Sequence, residues 1–220
     1  MGERVTTGAK VLDKLLEGGY ETDAITAIYG PAGSGKTNLA LLAALEIAKK
    51  GKKAIFIDTE GGFSISRLKQ ITTDYKKMLN KIIFLKPTTF PEQKKAIERL
   101  QDLANDKIGL IVVDTITMLY RLERTLGEND FNRELGKQIG VLNKICRTKK
   151  IPIIITSQVY SRFDQPGVNV VGGDIIKYGS KCLIELQALN RGRRKAILRK
   201  HRSIPGEKEI IFQIINKGIA

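Results

Sequence analysis

Short apolar runs alternate along the chain with longer stretches whose hydrophobic positions recur every three or four residues. The apolar runs predict strands over residues 24–29, 53–58, 82–85, 109–114 and 152–158. The helical spacing predicts helices over residues 7–17, 36–50, 64–79, 91–103 and 130–148. Runs that are apolar on both faces are typical of parallel strands covered by helices. The pattern therefore predicts an α/β domain built on a mostly parallel twisted sheet.

The pattern changes after residue 158. Residues 159–178 contain several glycines and prolines, which predicts irregular structure. Three strand-like runs follow, over residues 181–189, 195–201 and 209–215, and turn-rich segments separate them. We expect an antiparallel β-meander that closes one edge of the sheet. Without an internal repeat or a low-complexity linker, residues 1–220 are expected to form a single domain.

Composition excludes several protein classes. Hydrophobic residues make up 42% and charged residues 28%, as in ordinary globular proteins. No run approaches the roughly 18 apolar residues of a membrane span, and the N-terminus lacks the apolar stretch of a signal peptide. We therefore expect a cytoplasmic protein with no membrane partner. Cys146 and Cys182 lie far apart in no metal-type spacing, which favours two buried thiols.

The net charge is +15, and the second half of the chain carries 20 Lys/Arg against 10 Asp/Glu. Such a surplus favours a polyanionic partner, most often nucleic acid. A lysine-rich solvated surface explains the same charge without any partner. Charge alone leaves both interpretations open.

The segment "GPAGSGKT" fits the pattern G-x-x-x-x-G-K-[ST] between a predicted strand and a predicted helix. Glycines let successive backbone N–H groups converge on phosphates, and the helix start adds partial positive charge. Lys36 would lie between the β- and γ-phosphates, and the Thr37 hydroxyl would ligate Mg²⁺. The alternative, a glycine-rich turn without a ligand, is disfavoured by this context. We predict ATP and Mg²⁺ as ligands, and the nucleotide-binding residues are Gly30, Pro31, Ala32, Gly33, Ser34, Gly35, Lys36, Thr37 and Asn38.

Three polar residues follow other predicted strands, at the edge where ligands bind in parallel sheets. Asp114 is a candidate Mg²⁺ ligand, with a turn aspartate as the alternative. Glu60 is a candidate to polarise the water that attacks the γ-phosphate, with a loop carboxylate as the alternative. Gln158 is a candidate γ-phosphate sensor, with a solvated strand-end amide as the alternative. Together with Lys36, Glu60 and Gln158 form the predicted catalytic set.

Five motifs in order resemble the ATPase core of the RecA/Rad recombinases. They are "TTGAKVLDKLLEGGYETDAITAIYGPAGSGKT", "IDTEGGFSISRL", "LIVVDTI", "IIITSQV" and "VGGDIIKYGSKCLIEL". The resemblance extends from residue 6 to about residue 215. It implies a RecA-like P-loop ATPase core that binds ATP, Mg²⁺ and single-stranded or branched DNA in homologous recombination and repair. It also implies protein partners, namely the main recombinase and other recombination proteins such as a junction resolvase.

The resemblance adds one nucleotide-binding residue. Arg67 falls on the position of the family's arginine that stacks against adenine, a task that suits a planar guanidinium. Four departures put filament formation and strand exchange in question. We expect no counterpart of the family's N-terminal helical DNA-binding domain or of its Phe-x-x-Ala hook. Asp23 stands where the family usually has glycine, and "GPAGSGKT" departs from the family's commoner loop.

Two loops and one hairpin are predicted to contact DNA. In this fold the loops 117–133 and 159–177 face DNA, and basic residues with aromatic rings suit single strands. The loop candidates are Arg121, Arg124, Arg133, Tyr160, Arg162, Phe163 and Lys177. In "RGRRKAILRKHR" (191–202) seven of twelve residues are Lys or Arg, and the turn candidates are Arg191, Arg193, Arg194 and Lys195. Ordinary mobile loops and a solvated face are the alternatives.

Lys200 and Arg202 resemble the Lys-x-Arg pair that RecA-like ring ATPases present to the ATP of a neighbouring subunit. Such an arginine stabilises γ-phosphate charge in the transition state, and the role requires a homo-oligomer. Three functional hypotheses remain open at this point. They are a recombination accessory protein with weak DNA-dependent ATP hydrolysis, an active ring or filament motor, and a nucleotide-gated module that binds only proteins.

Overall fold

The computed structural model describes residues 3–124, 131–162 and 165–220. Its strands are β1 (Arg4–Val5), β2 (Tyr20–Glu21), β3 (Ile25–Tyr29), β4 (Lys53–Asp58), β5 (Ile82–Leu85), β6 (Ile108–Asp114), β7 (Ile153–Ser157), β8 (Val159–Arg162), β9 (Gln165–Val170), β10 (Cys182–Ala188), β11 (Arg193–His201), β12 (Lys208–Ile215) and β13 (Gly218–Ile219). Its helices are α1 (Lys10–Leu15), α2 (Lys36–Lys49), α3 (Ile65–Ile71), α4 (Tyr75–Leu79), α5 (Phe90–Leu103), α6 (Met118–Arg124), α7 (Phe131–Lys149) and α8 (Gly173–Gly179). No helix in these three ranges is long and apolar enough to cross a membrane.

The central sheet has the strand order β13-β12-β11-β10-β3-β7-β6-β4-β5 within the described part of the chain. Neighbours from β10 to β5 are parallel, whereas β10, β11, β12 and β13 pair antiparallel. This arrangement confirms the predicted α/β class and the C-terminal meander.

Successive residues of the parallel strands enter different hydrophobic cores because strand side chains alternate between faces. Ile55 and Ile57 pack with α5 and α7 on one face, whereas Phe56 packs with α1 and α2 on the other. Both cysteines are buried and free, as predicted. The two-sided burial explains why these strands are apolar throughout.

The helix predicted over residues 64–79 is two short helices, α3 and α4. Thr72 ends α3 in an extended conformation, and its hydroxyl accepts a hydrogen bond from the backbone N–H of Asp74 at 3.3 Å. Threonine hydroxyls compete with helical hydrogen bonds in this way. The hydrophobic periodicity of residues 64–79 gave no indication of this break between the two helices. The first predicted helix is also shorter than residues 7–17, since only Lys10–Leu15 is helical.

The segment predicted to be irregular, 159–178, contains regular structure. β8 and β9 form an antiparallel hairpin, with Val159 opposite Val170 and Tyr160 opposite Asn169. α8 follows and begins after Gly172, whose φ of 86° is left-handed. The predicted loop 117–133 likewise contains α6. Glycine and proline content led to the wrong prediction because the hairpin depends on pairing between its two strands.

Candidate functional site

The ends of β4 and β6 are joined by a pair of hydrogen bonds. The Thr59 hydroxyl donates to the carbonyl of Thr115 at 2.8 Å and accepts from its backbone N–H at 2.9 Å. The segment after β3 lies at the same edge, since the N–H of Gly30 donates to the carbonyl of Ser157 at the end of β7. The carboxyl ends of parallel strands thus form the crevice where this fold class places ligands.

The loop between β3 and α2 approaches other backbone closely. A Cβ on Gly30 would lie 2.4 Å from the carbonyl oxygen of Leu186, so only glycine fits there. Gly35 has a φ of 105° and is the N-cap of α2. The hydroxyl of Ser34 is buried and has no hydrogen-bond partner among the described residues. These features fit a loop that directs polar groups at a bound anion.

Lys36 is held inside this loop. Its Nζ donates to the carbonyls of Gly30 and Pro31, each at 2.9 Å. Burial lowers the pKa of Lys36, and the charges of Glu60 and Asp114 oppose that shift. The ammonium group is therefore partly desolvated and is fixed by two backbone oxygens of the loop.

Asp114 is buried at the end of β6. Its carboxylate accepts a hydrogen bond from the hydroxyl of Thr156, and the hydroxyl of Thr37 lies close enough to lower its pKa. Burial raises the pKa of Asp114, and the charges of Glu60 and Asp58 add to the rise. Within the described ranges no cluster of three His, Cys, Asp or Glu side chains could hold a metal alone. A hydroxyl beside one carboxylate fits Mg²⁺, which completes its shell with phosphates and water.

The structure brings Glu60 and Gln158 together. The Gln158 Nε2 donates to Glu60 Oε1 at 2.7 Å, and the Thr115 hydroxyl donates to the same oxygen at 3.1 Å. Gln158 also accepts a hydrogen bond from the N–H of Val171 at 2.9 Å through its carbonyl. Gln158 therefore connects the crevice directly to the base of the β8–β9 hairpin.

All five N–H donors of the Arg67 guanidinium are used. Its Nε donates to Asn38 Oδ1 at 2.9 Å, and Nη1 donates to Gln70 Oε1 at 2.9 Å. The remaining bonds go to main-chain carbonyls of the turn between β12 and β13, at Ile215, Asn216 and Gly218. Guanidinium donors lie in the plane of the group, so these bonds fix the orientation of that plane.

A cavity of about 510 Å³ connects these groups. Its lining includes Ala32, Gly33, Gly35, Lys36, Thr37 and Asn38, with Glu60, Arg67 and Gln158. Five further lining residues were not predicted, namely Leu41, Gly62, Ser64, Gln70 and Ile214. A Cβ on Gly35 would lie 3.1 Å from Ile214 Cδ1, so β12 forms a wall over the loop. The sequence gives no signal for Ile214, because its position follows from the pairing of distant strands.

The predicted DNA-contacting loops lie around a second concavity of about 710 Å³, lined in part by Arg121, Tyr160 and Asp174. Arg121 and Tyr160 are exposed, and Arg133 is exposed in the first turn of α7. Phe163 lies outside the described residues, as do the side chains of Arg124 and Arg162. The described residues here combine a cation with an aromatic ring, and their contact with DNA stays a prediction.

The basic run 191–202 divides into paired and unpaired cations. Lys195 pairs with Glu209 at 3.1 Å, and Arg199 pairs with Glu185 at 2.8 Å. Arg191 and Arg193 are exposed and form no ion pair with any described residue. Arg194 donates to the carbonyl of Gly33 at 3.4 Å, so the hairpin touches the loop before α2.

The profile of the Rad51 family matches residues 3–220. The chain belongs to the Rad51 family. It is 43% identical over 216 residues to the DNA repair and recombination protein RadB of Methanobrevibacter smithii, covering 94% of this chain and 92% of that protein. It is 38% identical over 229 residues to the protein of that name from Methanothermobacter thermautotrophicus, covering 100% of this chain and 97% of the relative. A crystal structure titled as that of the RadB recombinase superposes with a TM-score of 0.86 at 36% identity, covering 97% of each chain.

This Rad51-family membership confirms the predicted resemblance and the RecA-like fold. In the family member described here, Lys200 and Arg202 make contacts within the chain. Lys200 Nζ donates to the carbonyls of Lys177 and Ser180 at 2.8 and 2.9 Å. Arg202 contacts Asp23 and pairs with Glu21 at 2.6 Å. Their predicted role toward a neighbouring subunit stays a prediction, and it would require these contacts to break.

Proposed function

We propose that this chain is an ATP- and DNA-binding accessory protein of homologous recombination and DNA repair that hydrolyses ATP slowly and assists the main recombinase. The observation that carries the proposal is the 2.7 Å hydrogen bond between Gln158 and Glu60. It joins the candidate catalytic carboxylate to the hairpin that lies among the candidate DNA-contacting residues. The names of the relatives, DNA repair and recombination proteins, support the same assignment.

The crevice supports a division of roles toward ATP. The backbone N–H groups of the loop and Lys36 would bind the phosphates, with Thr37 and Asp114 holding Mg²⁺. Bound Mg²⁺ neutralises phosphate charge during phosphoryl transfer. Glu60 would orient the attacking water and accept its proton at a carboxylate oxygen. Gln158, which shares that oxygen, would exchange its bond to Glu60 for one to the γ-phosphate.

Arg67 would position the adenine. Its in-plane hydrogen bonds to Asn38, Gln70 and the β12–β13 turn fix the orientation of the guanidinium. A fixed plane loses little entropy on stacking, which favours a base against its face. The C-terminal strands therefore act in nucleotide binding through Arg67 and Ile214.

The contacts of Lys200 and Arg202 favour the accessory role over the motor. A motor ATPase of this fold would need both cations at a neighbour's ATP, whereas here each is held by groups of its own chain. The proposed partners are therefore single-stranded or branched DNA and the main recombinase, in the cytoplasm. Arg191 and Arg193 form no ion pair with any described residue, and a module that binds only proteins would not account for these two exposed cations.

The proposal predicts that ATP changes the affinity for DNA through Gln158 and Glu60. We would measure anisotropy of a labelled single strand with and without ATP–Mg²⁺, at several salt concentrations. The wild type should show an affinity shift on ATP addition, and Glu60→Gln should bind ATP within about threefold of wild type but turn over about 10²-fold more slowly. Glu98→Gln, an exposed carboxylate on α5, is the matched control.

Two outcomes would contradict the proposal. DNA affinity that is weak and unchanged by ATP at moderate salt would favour the protein-only module. DNA-stimulated turnover of the order of 1 s⁻¹ or faster would favour the motor, because that is a typical enzymatic rate.

A further inference from the structure

The phosphate loop, which connects β3 to α2, contacts three neighbouring strands of the C-terminal meander. Two of these contacts are close approaches at glycines, between Gly30 and Leu186 on β10 and between Gly35 and Ile214 on β12. The strand between them, β11, makes a polar contact instead, because Arg194 donates a hydrogen bond to a main-chain carbonyl of the loop. The meander therefore supports the loop through a charged side chain as well as through packing.

Strand alternation explains why Arg194 reaches the loop. Successive strand residues point to opposite faces of the sheet, so Arg194 shares a face with Ala196 and Leu198. Ala196 and Leu198 are buried in the core that includes α2, the helix that follows the phosphate loop. Arg193 belongs to the opposite face and is exposed. The register of β11 therefore directs one arginine of the turn toward the loop and its neighbour into solvent.

The outer part of the phosphate loop, residues 31–33, is little supported by packing. All three residues are exposed, and a Cβ on Gly33 would meet no atom within 4 Å beyond its chain neighbours. Gly33 also has a φ of 72°, which glycine adopts more easily than other residues. Such a segment has many accessible conformations, so hydrogen bonds must fix the one that binds phosphate.

A chain of hydrogen bonds connects Arg194 to Lys36. Arg194 Nη2 donates to the carbonyl of Gly33 at 3.4 Å. The N–H of the same peptide group belongs to Ser34 and donates to the carbonyl of Pro31 at 3.3 Å. Because a peptide group is planar, these two bonds together fix its orientation. The Pro31 carbonyl also accepts from Lys36 Nζ at 2.9 Å, so the position of Lys36 depends in part on Arg194.

The surroundings of the Arg194 guanidinium distinguish it from the other arginines of the turn. Its Nη1 donates to the carbonyl of Gly192, and its Nε is buried without a hydrogen-bond partner among the described residues. Arg191 and Arg193 are exposed, whereas Arg194 is half-buried. A guanidinium that donates to main-chain carbonyls has fewer donors left for a phosphate of DNA. Arg194 is therefore better placed to act on the loop than on DNA.

We propose that Arg194 is a positioning residue of the nucleotide site, which orients the phosphate loop and through it Lys36, and that it is not a DNA contact. Groups that are oriented before binding lose less entropy when the ligand binds. The charge of the guanidinium strengthens its bond to Gly33, since charge-assisted hydrogen bonds are stronger than neutral ones. This inference rests on the ATP binding proposed above. It also connects the hairpin turn, whose Arg191 and Arg193 are candidate DNA contacts, directly to the phosphate loop.

The test compares substitutions at two neighbouring arginines of the same turn, in the absence of DNA. Arg194→Met removes the donors but keeps the length of the side chain, and Arg193→Met removes the same charge one residue away. Titration calorimetry should show an affinity for ATP–Mg²⁺ that is about tenfold lower in Arg194→Met and unchanged in Arg193→Met. Arg194→Lys should bind within about threefold of the wild type, because an ammonium group can donate to the same carbonyl.

Binding of a labelled oligo(dT) strand tests the second half of the proposal. Arg193→Met should reduce the magnitude of the log–log salt slope by about 0.7, the contribution of one phosphate contact. Arg194→Met should keep the slope of the wild type, because its guanidinium is bound to the loop and not to DNA.

Amide hydrogen exchange of the ligand-free protein separates positioning from a general loss of stability. In Arg194→Met the amides of residues 33–36 should exchange faster than in the wild type, while those of β3 should exchange at an unchanged rate. Faster exchange in both regions would show that the substitution destabilises the whole fold, and would overturn the inference.

Two further outcomes would overturn it. An equal loss of ATP affinity in Arg193→Met and Arg194→Met would show that the net charge of the turn is responsible. An Arg194→Met protein that binds ATP as the wild type does, but with a smaller salt slope toward oligo(dT), would make Arg194 a DNA contact. A wild type that binds no ATP–Mg²⁺ would instead refute the proposed function itself.

Discussion

The nucleotide crevice and the basic hairpin turn differ in how their charged side chains are held. In the crevice, Lys36 is fixed by two carbonyls and Arg67 by five acceptors, and Asp114 accepts from the hydroxyl of Thr156. On the hairpin turn, Arg191 and Arg193 extend into solvent and form no ion pair with a described residue. Groups fixed in advance lose little entropy on binding and act at short range. Solvated charges act through a field that salt screens, so the two regions should differ most in their response to salt.

The largest effect is expected from breaking the crevice at Lys36. Lys36→Ala removes a charge-assisted contact to phosphate worth about 1.5–3 kcal/mol, so ATP affinity should fall about 10- to 100-fold. Titration calorimetry with ATP–Mg²⁺ measures the loss. Lys49→Ala, at the exposed end of the same helix, is the control and should bind as the wild type does. An equal loss of ATP affinity in both variants would show that the net charge of the protein, and not the fixed position of Lys36, determines that affinity.

A smaller effect is expected from the hairpin. Replacing Arg191 and Arg193 with Gln should reduce the salt slope of single-strand binding by about 1.4 in magnitude, with ATP affinity unchanged. Lys195→Gln removes a cation that already forms an ion pair with Glu209, so the salt slope should change least in that variant. The comparison would be refuted if Lys195→Gln reduced the salt slope by more, per charge removed, than the double replacement of Arg191 and Arg193.

The smallest effect concerns stability and pH at Asp114. Because its pKa in the folded chain is raised by burial, the charged form is disfavoured on folding. The contribution of this carboxyl to the free energy of unfolding therefore falls as pH rises from 3.8 through the raised value. Without ligand at neutral pH, Asp114→Asn should be more stable by about 1 kcal/mol, or roughly 2–4 °C in Tm.

The same variant should lose the stabilisation that Mg²⁺ with ATP gives the wild type. Thermal melts at several pH values with and without ATP–Mg²⁺ test both parts. A variant that is less stable without ligand at neutral pH would show that the hydrogen bonds to Asp114, and not its burial, dominate.

The sequence allowed the local parts of the crevice to be predicted and left out the parts made by distant strands. The residues from Gly30 to Asn38 are contiguous, so their motif predicts a phosphate loop directly. Ile214 was missed because it reaches the cavity only through the pairing of β12. Gln70 lies on the same helix as Arg67 and was missed because its hydrogen bond to that side chain is not visible in the sequence. The β8–β9 hairpin was missed because its composition resembles that of a loop.

The sequence also did not indicate which charged residues form ion pairs. Arg202 meets Asp23 across 179 residues, and Lys195 meets Glu209 across 14. Ion pairs of this kind depend on strand register, which the residue types near each cation do not reveal. The run 191–202 therefore looked uniformly basic, although its cations differ in how much charge they expose.

The Arg67 contacts also bear on the order in which the nucleotide site is completed during synthesis. Arg67 and Ile215 are separated by 148 residues, and Ile214 forms a wall of the same cavity. At about 5–20 residues per second, a ribosome needs roughly seven to thirty seconds to synthesise the intervening chain. During that interval the residues of the phosphate loop have been synthesised, but Ser157, which the loop contacts, the wall over the loop and the acceptors that orient Arg67 are still being added. A nascent chain would therefore hold ATP less firmly than the finished protein, and nucleotide would stabilise the core only after its last strands have paired.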